Sequence, residues 1–109
     1  MSELTMSDLA ASMRALRVLV ADFPDLPAVN VEVSRRYPGR LELIVHEGLG
    51  VFEVWREALG IPVESVTCSG PRAGCPLVLE ASVDYAGIRL YVTGFGGVHH
   101  PADVLEAVA

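Results

Sequence analysis

Lysine and glutamine are absent from this chain of 109 residues, and its eight basic residues are all arginines. Charged residues make up only 20% of the chain, and 14 acidic residues against 8 basic ones give a net charge of −6 at pH 7. This acidic balance favours solubility, but it repels phosphate backbones unless the arginines cluster locally. Nucleic acid is therefore disfavoured as a partner.

The chain also lacks a long apolar run. Glu3 and Asp8 stand where a secretory signal carries positive charge, and Arg14 and Arg17 interrupt any apolar segment there. The longest uncharged run, residues 90–102, falls short of the roughly 20 apolar residues that span a bilayer. We therefore expect a cytoplasmic protein without a membrane-spanning helix.

Cysteine is scarce as well, because Cys68 and Cys75 are the two in the chain. Without a secretory signal, such residues are more often reduced thiols than a structural disulfide. They flank a six-residue loop, which brings the thiols together if the flanking strands pair. A metal site needs further ligands, for which His99 and His100 are weak candidates, and the Cys-x6-Cys spacing is not a zinc motif. No metal is favoured, and no cofactor is predicted.

Apolar residues, in contrast, are abundant. The residue types AVILMFWYC make up 51% of the sequence, and the length fits a single domain over residues 1–109. A domain this small has a large surface for its volume, so some of these side chains should lie on an exposed face. The composition therefore predicts a self-association or partner surface, with a homodimer as the favoured assembly.

Helical spacing of apolar residues predicts three helices. The first spans residues 5–21, begins at a capping box of Thr5 and Asp8, and has the predicted buried stripe Leu9, Met13, Leu16 and Val20. The second ends at Gly60 and has the stripe Val51, Val54, Trp55 and Leu59. A short terminal helix is predicted from Pro101 onward, with Val104, Leu105 and Val108.

Alternating apolar residues predict five strands, four of them in two hairpins. Residues 29–33 and 41–45 flank a Pro-Gly turn, and a bulge or a longer loop is needed to place Val33 and Leu43 on one face. Residues 77–85 and 88–95 flank Ala86-Gly87 without adjustment. Between the hairpins, β-branched residues predict an extended segment over residues 61–68.

The predicted fold is α+β, with the order α-β-β-α-β-β-β-α and an antiparallel sheet that carries its helices on one face. On the opposite face the alternation places four large apolar residues among polar ones: Ile44, Val78, Tyr91 and Phe95. Apolar groups with a polar rim are typical of interfaces. We expect these four to form the centre of an interface, the alternative being that they are scattered singly or lie under the terminal helix.

Two further segments are weaker binding candidates. The first is a glycine-rich segment at the end of the last predicted strand, with Gly94, Gly96 and Gly97. Backbone amides in this position can hold an anion, although the ending of a strand explains these glycines as well. The first hairpin tip carries the one local cluster of positive charge around Tyr37, namely Arg35, Arg36 and Arg40. Arginines around an aromatic ring can bind nucleic acid or an acidic partner, whereas a solvated turn is the default.

Catalytic motifs are absent from the sequence, in which no serine or cysteine has a nucleophile signature around it. The leading hypothesis is therefore a non-enzymatic interaction domain that self-associates through the outer sheet face. One alternative is a small metal- or ligand-binding protein or enzyme that uses the Cys68/Cys75 loop and residues 94–100. Another is an accessory regulator that binds nucleic acid or an acidic partner through residues 35–40.

Overall fold

Two helices and a five-stranded sheet make up the described part of the chain, which in the computed structural model is residues 3–70 and 77–96. The helices are α1 (Ala10–Asp22) and α2 (Leu49–Ala58). The strands are β1 (Asn30–Glu32), β2 (Arg40–Val45), β3 (Thr67–Ser69), β4 (Val78–Tyr85) and β5 (Ile88–Phe95). The α+β class is confirmed, and so is the order of these elements. The terminal helix predicted from Pro101 lies outside the described residues.

The sheet is mixed, and in this respect the antiparallel prediction was wrong. Its strand order is β1-β2-β5-β4-β3, and β2 runs parallel to β5 while the other neighbours are antiparallel. A parallel pair needs a long crossover, which α2 and the two strands after it supply. The alternation of apolar residues determines on which face of the sheet a side chain lies, but it does not indicate which strands are adjacent in the sheet.

A longer loop sets the register between β1 and β2. The sequence predicted that either a bulge or a longer loop was needed there. Val31 lies opposite Leu43, so the apolar residues of both strands share the inner face. Two successive turns, with Tyr37 N–H donating to Ser34 O and Arg40 N–H donating to Tyr37 O, occupy the extra residues. The strands therefore pair without a bulge over residues 30–32.

The β4–β5 hairpin is confirmed in its turn and register. Ala86 and Gly87 both have positive φ, +50° and +84°, the combination that a type I′ turn requires. Asp84 lies opposite Arg89, and their side chains form an ion pair of 2.9 Å. Both strands end within one residue of the predicted positions.

Helix α1 buries a different stripe from the predicted one. A 3-10 turn (Met6–Leu9) precedes it, and Asp8 Oδ2 accepts the Thr5 N–H at 2.7 Å, as the capping box predicts. The residues that face the sheet are Leu9, Ser12, Ala15 and Leu19. Met13 and Val20 are exposed, at 42% and 60%. Small side chains let the helix approach the sheet closely, an advantage that a ranking by hydrophobicity does not capture.

Helix α2 closes the other half of the core. Phe52 and Trp55 are its buried residues, whereas Val54 of the predicted stripe is 41% exposed. The predicted end of the helix is confirmed, because Gly60 follows it with φ +71°. Together with α1, α2 covers the inner face of the sheet, where the side chains of Leu41, Leu43, Val45, Leu90 and Val92 are fully buried.

Residues 61–68 are extended only at their end. Pro62 begins a 3-10 turn (Val63–Ser65) in which Ser65 Oγ donates to Pro62 O at 2.8 Å. The predicted long strand is therefore reduced to β3, since the serine hydroxyl competes locally for the backbone. None of the described helices is long and apolar enough to cross a membrane.

Candidate functional site

The outer face of the sheet brings together the four apolar residues that the alternation predicted. Phe95 lies beside Val78 on β4, and Thr93 lies between Tyr91 and Phe95 on β5 with Ile44 beside it on β2. Each of the four apolar side chains is half-buried. We call Ile44, Val78, Tyr91 and Phe95 the outer-face cluster. It lies along β5, the central strand of the sheet, and has polar residues on both sides.

Arg40 covers one end of this cluster. Its guanidinium carbon lies 3.7 Å from the centre of the Tyr91 ring and 4.6 Å from that of Tyr37. Arg40 Nε is 3.2 Å from Glu42 Oε1, in a geometry that makes an ion pair rather than a directed hydrogen bond. A guanidinium between two aromatic rings is held by cation–π attraction, so this arginine is fixed on the outer face.

The other end of the cluster carries a second stack. The rings of His46 and Phe95 are 5.2 Å apart and nearly parallel, at 9°. The parallel register of β2 and β5 causes this contact, because Val45 pairs with Gly94, and the residues that follow them, His46 just after β2 and Phe95 in β5, lie on the outer face. Sequence reasoning missed both stacks, since each depends on a strand pairing between residues about 50 positions apart in the chain.

A polar cleft of about 180 Å³ borders the cluster on the β3 side. Its lining residues are Ser65, Thr67, Glu80, Ala81, Ser82 and Tyr91. Ser82 Oγ accepts a hydrogen bond of 2.9 Å from Arg89, whose pKa is raised by its hydrogen bond to Asp84. Thr67 Oγ1 donates to the carbonyl of Glu80. The cleft adds hydrogen-bonding groups to the rim of the cluster, and these two hydroxyls already have partners.

An apolar groove of about 250 Å³ lies on the opposite side of the molecule, between α1 and the edge strand β1. It is lined by Leu16, Leu19, Val20, Phe23, Pro24, Leu26, Pro27, Ala28, Val29, Val31, Leu43 and Trp55. Trp55 Nε1 donates to Pro27 O at 2.9 Å and so ties the loop after α1 to α2. Sequence reasoning missed this groove because it assigned Val20 to the core.

Comparison with known proteins gives no relative from which a function can be transferred. No family model, curated protein or solved structure matches this chain. The outer face and the groove are therefore the features from which a function is inferred.

The glycine-rich candidate is only partly described. Gly94 is buried within β5, where a Cβ atom would lie 2.8 Å from Phe52 Cδ2. Gly96 N–H donates to Leu77 O at 2.8 Å, so this amide takes part in strand pairing. Gly97 lies outside the described residues. The structure thus gives Gly94 a packing role and Gly96 a pairing role, and anion binding stays a prediction.

The arginines of the hairpin tip do not point to one place. Arg35 and Arg36 are exposed, and Arg36 N–H donates to Ser34 Oγ at 3.1 Å. Arg40 instead lies under Tyr37 on the outer face. Binding of nucleic acid or an acidic partner through residues 35–40 stays a prediction, with two exposed guanidinium groups to carry it.

The metal-ligand candidates lie mostly beyond the described residues. Cys68 is an exposed free thiol on β3, and Cys75, His99 and His100 are outside residues 3–70 and 77–96. Within those ranges no group of three or more His, Cys, Asp or Glu residues is placed to hold a metal ion. The prediction about these four residues is therefore untested.

Proposed function

We propose that this protein is a non-enzymatic interaction domain in which two copies associate through the outer-face cluster. The observation that carries the proposal is the pair of stacks on the central strand, with Arg40 over Tyr91 and His46 over Phe95. Tyrosine and arginine are among the residues that contribute most to binding energy at protein interfaces. Here both are presented on a sheet face opposite the helices.

Ordering of the face before association supports the proposal. Side chains that are immobilised on binding each cost about 0.5–1.5 kcal/mol. Tyr91 and Phe95 project from a strand that is paired on both sides, and each ring is already stacked in the single copy. Little further ordering is needed when a second face covers them, so more of the apolar burial remains as binding free energy.

The size of the face suits an interface between two small domains. Five strands lie about 4.8 Å apart, and β4 and β5 are each about 26 Å long, but β1 and β3 have only three residues each, so the flat area is about 440 Å². A standard interface takes about 800 Å² of accessible surface from each partner, and accessible surface exceeds flat area. One sheet face is therefore of the right order to hold two copies together.

The rim of the face carries both signs of charge. Arg40 is paired with Glu42, and Arg89, its neighbour in the parallel register of β2 and β5, is paired with Asp84. In a two-fold arrangement the same patch meets itself, so cations of one copy can face carboxylates of the other. The rim thus sets the relative orientation, while the cluster supplies the apolar burial.

Substitution of Phe95 by glutamate tests the proposal. A charge in the centre of the face should halve the mass of the assembly, as measured by native mass spectrometry and by sedimentation velocity over a range of concentrations. Val63→Glu is the matched control, because Val63 is 60% exposed and lies on the 3-10 turn before β3. An assembly of unchanged mass in folded Phe95→Glu protein contradicts the proposal, as does a wild-type protein that stays monomeric.

A further inference from the structure

The outer edge of β1 is open in the described part of the chain. β1 is the terminal strand of the sheet order, and its other edge is paired with β2. Val31, at the middle of the strand, is 41% exposed although it faces the helix side of the sheet opposite the buried Leu43. An edge strand with an apolar inward face is a template for a further strand.

The groove lies where the inward side chains of such a strand would be placed. Val31 and Val20 line opposite walls of the groove, from β1 and α1 respectively, and Val20 is 60% exposed. A strand added to β1 continues the sheet by about 4.8 Å under the side of α1. Every second residue of that strand would then pack against these two valines.

The sequence around β1 is symmetric in polarity about Val31. Residues 29–33 are Val-Asn-Val-Glu-Val, so an antiparallel copy of the segment repeats the same alternation. With Val31 on a two-fold axis, Val31 faces Val31, Val29 faces Val33, and Asn30 faces Glu32 of the second copy. The amide of Asn30 can then donate to the carboxylate of Glu32. The two Glu32 side chains do not lie opposite each other, so the repulsion between like charges that would destabilise the pair is avoided.

We propose that a second copy of this chain pairs with β1 in antiparallel fashion, with Val31 on the two-fold axis and the groove closed by the joined edges. The interface is isologous, since each copy contributes the same edge and the same groove wall. It is distinct from the outer face and does not depend on the proposed function. Where both contacts form, two-fold axes that cross at right angles close the assembly as a tetramer, and axes in other directions extend it as an open chain.

Charge exchange at Val31 tests this pairing. Because Val31 faces itself across the axis, Val31→Glu and Val31→Arg each place like charges opposite one another, and each variant alone should lose the edge contact. An equal mixture of the two should form a mixed pair, detected by native mass spectrometry from the different masses of the variants. Both substitutions are at an exposed side chain, and circular dichroism checks that each variant folds.

The experiment is done in the wild-type and in the Phe95→Glu backgrounds, which separates the two interfaces. If both contacts form, Phe95→Glu leaves an edge dimer, and adding either Val31 substitution leaves a monomer. An equal mixture of Val63→Glu and Val63→Arg is the control and should show no preference for mixed pairs. Unchanged mass in both Val31 variants overturns the proposal, and so does a mixture that forms no mixed pairs in the Phe95→Glu background, where pairing through the outer face is removed. Neither result affects the outer-face proposal, which is tested separately by Phe95→Glu.

Discussion

Gly94 shows how one missing side chain determines the packing of a helix. Phe52 of α2 is fully buried, and its ring occupies the space beside Gly94 that a Cβ atom would need. The central strand therefore carries glycine at a buried inward position between β2 and β4. From the sequence alone this glycine resembled the ending of a strand, because nothing local indicates that an aromatic ring from residue 52 lies over it.

Gly94→Ala should lower the free energy of unfolding by about 1–3 kcal/mol, the usual cost of overpacking a core. Chemical denaturation at neutral pH measures the change. Gly50→Ala is the control: no atom lies within 4 Å of a Cβ at this position in α2, so the substitution should be neutral or stabilising by up to about 1 kcal/mol. Equal effects of the two substitutions would show that Phe52 does not pack as described.

Tyr85 connects the β4–β5 hairpin to the end of α1. Its hydroxyl donates to Asp22 Oδ2 at 2.5 Å, and its ring lies 6.5 Å from that of Phe23. Partial burial, the hydrogen bond and the nearby carboxylate raise the pKa of Tyr85 from 10.0 to about 12. The folded state thus keeps the phenolic proton to a higher pH than the unfolded state does.

This shift predicts a loss of stability at alkaline pH. The contribution is fully present below pH 10 and is lost as the pH rises through 12, because the unfolded chain releases the proton first. Tyr85→Phe lacks this contribution, so the difference in unfolding free energy between wild type and variant should shrink between pH 10 and 12. Denaturant unfolding of the wild type and of Tyr85→Phe across this range tests the prediction. A constant difference for Tyr85→Phe would contradict it.

At the scale of elements, α1 is attached to the sheet by one buried hydroxyl. Ser12 is fully buried, and its Oγ lies 2.6 Å from Pro38 O and 2.9 Å from Arg40 O. The hydroxyl therefore joins the helix to the end of the loop before β2 and to Arg40, the first residue of β2, whose side chain lies on the outer face. A helix on one face of the sheet thus positions a side chain of the opposite face.

Ser12→Ala should destabilise the protein by about 1–3 kcal/mol, because it removes the one donor that the partly buried carbonyl oxygens of Pro38 and Arg40 share. It should also change the near-ultraviolet circular dichroism of the tyrosines, since the loop that holds Tyr37 over Arg40 is released. Ser7→Ala, at an exposed position before α1, is the control and should change stability by less than about 0.5 kcal/mol. A stable variant with an unchanged spectrum would show that Ser12 does not hold the loop.

The elements that were predictable are those whose partners are close in the chain. The β4–β5 hairpin needs only a two-residue turn and two alternating strands, and its turn at Ala86-Gly87 was predicted correctly. The β2–β5 pair joins Arg40 to Arg89, 49 positions later, and no local pattern specifies it. The same contrast holds for the site: alternation predicts which residues share the outer face, whereas the stacks of Arg40 and His46 follow from the parallel pairing.

At the scale of the whole molecule, association and stability should be linked. A ligand that binds only the folded state raises apparent stability, and in a self-associating protein the ligand is another copy. The thermal midpoint of the wild-type protein should therefore rise with protein concentration. The Phe95→Glu variant should show a weaker dependence, measured by calorimetry over a wide range of concentrations. Midpoints that do not depend on concentration in the wild type would contradict both proposed interfaces.

The parallel pairing of β2 with β5 also has a consequence for synthesis of the chain on the ribosome. β2 leaves the ribosome well before β5, and translation proceeds at roughly 5–20 residues per second. During that interval the apolar side chains of Leu41, Leu43 and Val45 lack the central strand beside them. The nascent chain therefore carries an unfinished sheet for several seconds, and premature termination before residue 88 should give aggregation-prone fragments instead of a smaller folded domain.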